Sequence, residues 1–262
     1  MIIAVSGKGG TGKTLVSALL VKFLSETNKD VLAIDADPDS NLPETLGIKV
    51  QNTVGNIREQ LKKDIAAGKI PDSVDKWSIL EYRILESVIE TKDFDILVMG
   101  RSEGSGCYCA VNTILRKIIK DISSTYDFVI IDTEAGLEHL SRRTTQDVDL
   151  MIIVTDQSKK GVYTVQRIIE LSKELEIKFK DICVILNRVK KEDIKELKKS
   201  IEKLGVKLIG TIPEDPSITE YDMKGIPLTK LPKNSPAIKS MRKITNTILN
   251  EVKYHGQNPR TH

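Results

Sequence analysis

Residues 2–24 read IIAVSGKGGTGKTLVSALLVKFL, and three patterns meet in them. The first six form a continuous apolar run of strand length, the kind buried on both faces of a sheet. From residue 13 to 27, Leu15, Leu19 and Phe23 fall on one helical face, with Val16, Leu20 and Leu24 beside it. Between strand and helix stands GKGGTGKT, Gly7 to Thr14, which matches G-x-x-x-x-G-K-[ST] in the strand–turn–helix context that gives the motif its meaning. Gly7, Gly9, Gly10 and Gly12 let the backbone turn tightly, so that successive N–H groups, Thr11 included, face a phosphate. The helix N-terminus, entered through Leu15, adds the positive end of its dipole. Lys13 is expected on the β- and γ-phosphates and Thr14 on Mg²⁺. An ordinary glycine-rich turn is the competing reading; the agreement of motif and context favours the phosphate loop.

Further apolar runs rich in Val and Ile follow at 31–35, 95–100, 127–132, 149–155, 182–187 and 206–212, with helical patterns between most of them, among them 110–124 and 160–175. Strand–helix alternation implies an α/β fold, a mostly parallel doubly wound sheet of about seven or eight strands flanked by helices. The interval 41–93 is longer than one crossover and has room for two or three helices. No repeat or Gly/Ser-rich linker appears, so one domain is expected over 1–254, with 255–262, ending in HGQNPRTH, a flexible polar tail.

Composition narrows the class. Of 262 residues 40% are hydrophobic and 29% charged, which suits a large core under a charged surface. Lys and Arg number 40 against 37 Asp and Glu, a formal net charge of +3. Signs interleave, as in KKEDIKELKKSIEK at 190–203, which reads as a solvated helix face and not as a nucleic-acid patch. MIIAVSGKGG lacks the features of a signal peptide, and no apolar run approaches the roughly 18–20 residues that span a bilayer. A cytoplasmic location with reduced thiols is expected.

Carboxylates follow two of the strands. In AIDADPDSN (33–41) Asp35 ends the strand, and Asp37 and Asp39 lie on the loop beyond it. A carboxylate there can orient an attacking water or meet Mg²⁺; Asp-Pro also favours turns, and Asp39 or Ser40 can cap the next short helix. VIIDTEAGLEH (129–139) ends its strand at Asp132, with Gly136 completing D-x-x-x-G. VILNRV leaves Asn187 at a strand end, where the amide can read adenine by paired hydrogen bonds or cap a turn.

GRSEGSGCYC (100–109) carries Cys107 and Cys109, two of three cysteines, on a glycine-rich loop after the strand at 95–100. Carboxyl ends of parallel strands share one edge, so these thiols are expected on the same edge as the phosphate loop. A helix starting near Ala110 would favour thiolates. Thiolate-bound transition metals normally take four donors and one Cys-x-Cys supplies two. Cys183, inside a strand, reads as a buried apolar residue. Two cysteines from a second copy complete an S₄ site on a twofold axis. Chance proximity and a redox pair are the competing readings.

Lys8, directly after the first glycine, makes the loop resemble the deviant Walker A motif, KGGxGKT, of the class that contains MinD, ParA and the nitrogenase iron protein. With DADPDSN, MGRSEGSGCYC, DTEAGLEHLSRRT and LNRV, the chain from residue 1 to about 230 resembles the CooC-type ATPases that help insert nickel into carbon monoxide dehydrogenase and acetyl-CoA synthase. The resemblance implies ATP hydrolysis with Mg²⁺. Lys8 would reach the nucleotide of the opposite subunit, Lys13 the phosphates, and Thr14, Asp37 and Asp132 the magnesium or its water, with Asp37 favoured for positioning the attacking water. Asn187 would contact the base, with Arg188, Pro213, Glu214 and Asp215 nearby. It further implies an ATP-dependent homodimer that holds Ni²⁺, or Zn²⁺ in its place, through Cys107 and Cys109 of both subunits and serves a client nickel enzyme, with no role for nucleic acid or membrane. The rivals are a ParA- or MinD-like positioning ATPase and an iron-protein-like electron carrier. For the first, PAIKSMRKITNTILNEVK (236–253) is amphipathic, with Ile238, Met241, Ile244, Ile248 and Val252 on one face. Without Trp or Phe it reads better as a helix packed on the sheet.

Overall fold

The computed structural model describes residues 1–101, 117–134, 147–174, 178–190 and 194–257; the side chains of 147, 178 and 252–257 also lie outside the description. Eight strands make one sheet: β1 Ile2–Gly7, β2 Val31–Asp35, β3 Ile89–Glu90, β4 Asp95–Val98, β5 Phe128–Asp132, β6 Asp147–Thr155, β7 Lys178–Val189 and β8 Lys207–Pro213. Their order is β3-β4-β2-β5-β1-β6-β7-β8, and every pairing is parallel except β3 with β4. Nine helices with defined bounds accompany them among the described residues: α1 Lys13–Ser25, α2 Asn41–Leu46, α3 Val54–Ala66, α4 Lys76–Glu86, α5 Lys159–Glu174, α6 Ile194–Glu202, α7 Pro216–Met223, α8 the 3-10 turn Leu228–Lys230 and α9 Pro236–Gln257. Residues 117–123 are helical too.

The apolar runs are continuous because both faces of the sheet are covered. Ile3, Val5, Ala33, Ile130, Ile152 and Ile185 face a core closed by α1 and α9; Ala4, Leu32, Ile34, Ile131, Met151 and Val184 face the opposite core under α3, α4 and α5. Neighbouring residues of one strand thus serve different cores, as a period of two requires. Cys183 joins the first core, 3% exposed, its thiol pushed up by burial. The interval 41–93 holds three helices and one element the runs did not reveal, the two-residue antiparallel edge strand β3. A strand that short carries no periodicity to read.

Helix α9 packs on the sheet through Ile238, Met241, Ile244 and Ile248, all buried. It runs through Gln257, past the expected start of the tail at 255. An established helix propagates through polar residues at one hydrogen bond each, and the first residue that must oppose it is Pro259. Residues 258–262 lie outside the described residues. No described helix is long and apolar enough to cross a membrane.

Candidate nucleotide site

Strand β1 is flanked by β5 and β6, so the loop leaving it opens on the carboxyl edge of the sheet beside the ends of β2 and β5. Two glycines of this loop are demanded by close approach. At Gly7, φ +152°, a Cβ would stand 2.1 Å from the Val154 carbonyl oxygen of β6; at Gly12, φ +92°, it would stand 2.2 Å from the Asn187 amide nitrogen. The loop is therefore seated on β6 and β7 before any ligand arrives. Lys13 is buried, its ammonium 3.5 Å from the Lys8 carbonyl oxygen, whereas Lys8 is exposed.

Asp132 is the centre of the phosphate end. Its carboxylate accepts hydrogen bonds from the Ser17 hydroxyl at 2.9 Å and from the Thr14 hydroxyl. Burial pushes its carboxyl up to about 6, against the pull of those two hydroxyls and of Lys13. The register of β2 on β5 sets Asp35 directly beside Asp132. Asp35 is fully buried, and burial together with Asp132 pushes its carboxyl up to about 7. The Asp132 carboxylate and the Thr14 hydroxyl, with the Asp37 carboxylate nearby, are hard oxygen donors, a set that suits Mg²⁺.

From Asp35 three aspartates run outward as a ladder. One Asp35 oxygen accepts the Asp37 N–H at 3.0 Å, and Asp37 Oδ1 accepts the Asp39 N–H at 3.0 Å. Asp39 Oδ1 accepts from the Arg101 guanidinium at 2.6 Å. Arg101 follows β4 and leads toward Cys107. The other Asp35 oxygen accepts the Leu42 N–H at 3.0 Å, in the first turn of α2. Capping of α2, expected from Asp39 or Ser40, thus falls to Asp35; Ser40 occupies the cap position in the left-handed region without a capping bond, its hydroxyl donating instead to the Asp37 carbonyl oxygen at 3.4 Å. The carboxylate already inside the fold reaches the N–H that the local hydroxyl does not.

The expected base end coincides with a cleft of about 490 Å³ running from Gly12, Thr14 and Leu15 to Asn187, Arg188, Pro213, Glu214 and Asp215. On the other side Asn41, Glu44 and Thr45 of α2 and Thr219 and Asp222 of α7 close it. Asn187 is buried, and both ends of its amide are engaged: the nitrogen donates to the Thr11 carbonyl at 2.8 Å, and the oxygen accepts the Arg188 N–H at 2.9 Å. It braces the phosphate loop while lining the cleft. Arg188 takes φ +55°, where the β7–β8 ladder is irregular between Leu186 and Val189; bulges commonly re-aim a side chain beside a site. Asp215 lines the cleft, yet its carboxylate binds Ser217 N–H at 3.0 Å, the Ser235 hydroxyl at 2.5 Å and Ala237 N–H at 3.2 Å. Burial raises this carboxyl, but the bonds from Ser235, Ala237 and Ser217 outweigh it and hold it below the usual range.

Lys8, Lys13, Thr14, Asp37 and Asp132 thus meet at one edge, next to the cleft lined by the expected base residues. Cys107, Cys109 and Gly136 lie outside the described residues. Among the described residues no group of three or more His, Cys, Asp or Glu is arranged to hold a metal ion. Sequence reading missed Ser17 and the capping work of Asp35. A clue to Ser17 was a lone hydroxyl between Val16 and Ala18 on the buried side of α1, one turn after Thr14.

Residues 2–228 match the family model described as the CobQ/CobB/MinD/ParA nucleotide-binding domain. An uncharacterized ATP-binding protein of Methanocaldococcus jannaschii is 55% identical over 251 residues, 96% of this chain and 99% of its own. The carbon monoxide dehydrogenase accessory protein CooC of Rhodospirillum rubrum is 30% identical over 236 residues, 86% of this chain and 88% of its own. Among solved structures, the septum site-determining protein MinD of Pyrococcus horikoshii, complexed with Mg-ADP, superposes with a TM-score of 0.68 at 26% identity, covering 98% of this chain and 99% of that one. The chain therefore belongs to the CobQ/CobB/MinD/ParA nucleotide-binding domain family and is an ATP-binding P-loop ATPase.

Proposed function

We propose that this chain is an ATP-hydrolysing, homodimeric metallochaperone of the cytoplasm. A single domain over 1–254 binds Ni²⁺, or Zn²⁺ in its place, between subunits through Cys107 and Cys109, and delivers it to carbon monoxide dehydrogenase or acetyl-CoA synthase. The observation that carries the reading is the Asp39–Arg101 ion pair. It ties the loop of the hydrolytic Asp37 to the chain six residues before Cys107, so the nucleotide end and the approach to the thiols share a contact. The 30% identity to a carbon monoxide dehydrogenase accessory protein supports the same client chemistry.

ATP binds with its phosphates on the loop from Gly7 to Leu15, that is Gly7, Lys8, Gly9, Gly10, Thr11, Gly12, Lys13, Thr14 and Leu15. Lys13 neutralises the β- and γ-phosphates, and Lys8 reaches the partner's nucleotide. Thr14, Asp37 and Asp132 would hold Mg²⁺, which would supply charge neutralisation for the phosphates. Asp37 orients the attacking water. Asn187, Arg188, Pro213, Glu214 and Asp215 frame the base. Closure brings four thiolates together on the twofold axis, and loss of the γ-phosphate loosens them through Asp132 and Gly136. Nucleotide and metal then bias one equilibrium, a coupling of typically about 1–3 kcal/mol.

Nickel binding and molecular mass, measured together with ADP and with a non-hydrolysable ATP analogue, test this. A dimer with tighter nickel binding is expected only with the analogue, and Cys107→Ser/Cys109→Ser keeps the dimer but loses the metal. Equal nickel affinity in the two nucleotide states overturns the coupling. The positioning-ATPase reading has relatives on its side, among them the Bacillus subtilis MinD at 27% identity over 259 residues. Its membrane form has to use a face of α9 other than the buried one. ATP-dependent pelleting with liposomes or DNA supports that reading instead.

A further inference from the structure

We infer that Asp35 is the positioning residue for Asp37: its buried carboxylate takes the Asp37 N–H on one oxygen and the Leu42 N–H on the other, and so fixes both ends of the turn that carries the hydrolytic side chain. The inference rests on the proposed role of Asp37 and adds a residue to it. The two bonds, each 3.0 Å, reach opposite ends of residues 37–42, so the turn cannot shift without breaking one of them. The position is an expensive one for a carboxylate. Asp35 is 0% exposed and lies beside Asp132, its register partner on β5. Burial of two like charges side by side opposes folding. The cap it gives α2 offsets part of that cost, and an asparagine supplies a single oxygen and serves one N–H but not both. Leu42 also lies in the first turn of the helix whose Asn41, Glu44 and Thr45 line the cleft, so the same carboxylate sets one wall of the proposed base end.

Asp35→Asn tests the assignment. The carboxylate is replaced by a neutral group of the same shape that cannot repel Asp132. Relief of that repulsion and loss of one buried N–H bond oppose each other, so the melting temperature of the variant is expected to stay close to that of the wild type. The kcat for ATP falls by about tenfold or more, since small misplacement of a reacting group costs up to about a hundredfold, and KM stays within about threefold. Because Asp35 acts through Asp37, combining it with Asp37→Asn adds no further loss; independent roles multiply instead. In the nucleotide-free protein, amide exchange at Asp37 and Leu42 speeds up by about tenfold while that of α1 is unchanged. This last readout stands even if the wild type proves not to hydrolyse ATP, a result that sinks the proposed function and not the geometry. A variant with kcat within about twofold of wild type, multiplicative losses in the double variant, or a lower melting temperature with kcat and KM failing together overturns the assignment.

Discussion

Asp132 and Asp215 occupy opposite ends of one site, 1% and 5% exposed, and their carboxyl groups move in opposite directions. Burial raises both. At the base end the Ser235 hydroxyl and two backbone N–H groups outweigh that, and the charge is held. At the phosphate end the hydroxyls of Thr14 and Ser17 do not outweigh it, and Asp35 crowds alongside. Two things separate them: Asp132 lies deeper in the protein, so burial opposes its charge more strongly, and Asp215 has more donors within reach. A carboxylate whose hydrogen bonds outweigh its burial is a structural tie between helices, and a deeply buried pair set side by side is a place prepared for positive charge.

The widest gap between the two ends should appear on truncation. Asp37→Asn is expected to lower kcat about a hundredfold, the lower range for a lost acid–base or water-orienting group, with stability unchanged in urea melts. Asp215→Ala should do the reverse. It removes the N-cap of α7 and strands the Ser235 hydroxyl and the Ala237 N–H, a loss of about 3 kcal/mol; in the fraction that remains folded KM for ATP rises, because Asp215 also frames the base, while kcat at saturating ATP is unchanged. If both variants lose activity and stability in proportion, the two ends do not differ in the way the carboxyl shifts indicate.

Titration offers a smaller contrast with opposite signs. Asp35 and Asp132 go from an ordinary 3.8 to about 7 and about 6 in the folded chain. The folded state thus binds more protons between about pH 4 and pH 7, and this end loses stability as pH rises through that window. Asp215 is depressed, so its contribution is present above its ordinary value and lost as pH falls below it. Thermal melts of Mg²⁺-free protein should decline from pH 5 to pH 7.5, excess Mg-ADP should flatten the decline, and Asp35→Asn should remove most of it. A melting temperature that instead climbs across this range breaks the comparison. The smallest effect belongs to the Asp39–Arg101 pair, where both side chains are more than half exposed. Arg101→Ala should change stability by under about 1 kcal/mol. Its expected signature is a narrower difference in nickel affinity between the ADP state and the ATP-analogue state.

The fold was legible because its signals are local. A run such as VLAID at 31–35 announces burial on both faces by itself, and GKGGTGKT carries strand, turn and helix within a few residues. The edge strand β3 and the last turn of α9 were not, since two residues show no period and a helix end is set by the residues beyond it. At the site, Lys13, Thr14 and Asp132 could be named from motifs. The partners of these residues could not. Nothing near Asp215 in the chain announces Ser235, nor does anything near Asp132 announce Ser17.

By itself, then, the sequence determined the family, the doubly wound sheet and the residues that gather at its carboxyl edge, because periodicity and a phosphate-loop motif are properties of short stretches. Only the tertiary structure decided which carboxylates are saturated and which are crowded. That depends on strand order and register, which set Asp35 of β2 against Asp132 of β5 and fold α9 back onto Asp215. Hydrogen bonding and charge repulsion act through space, and the donors that settle them come from distant parts of the chain.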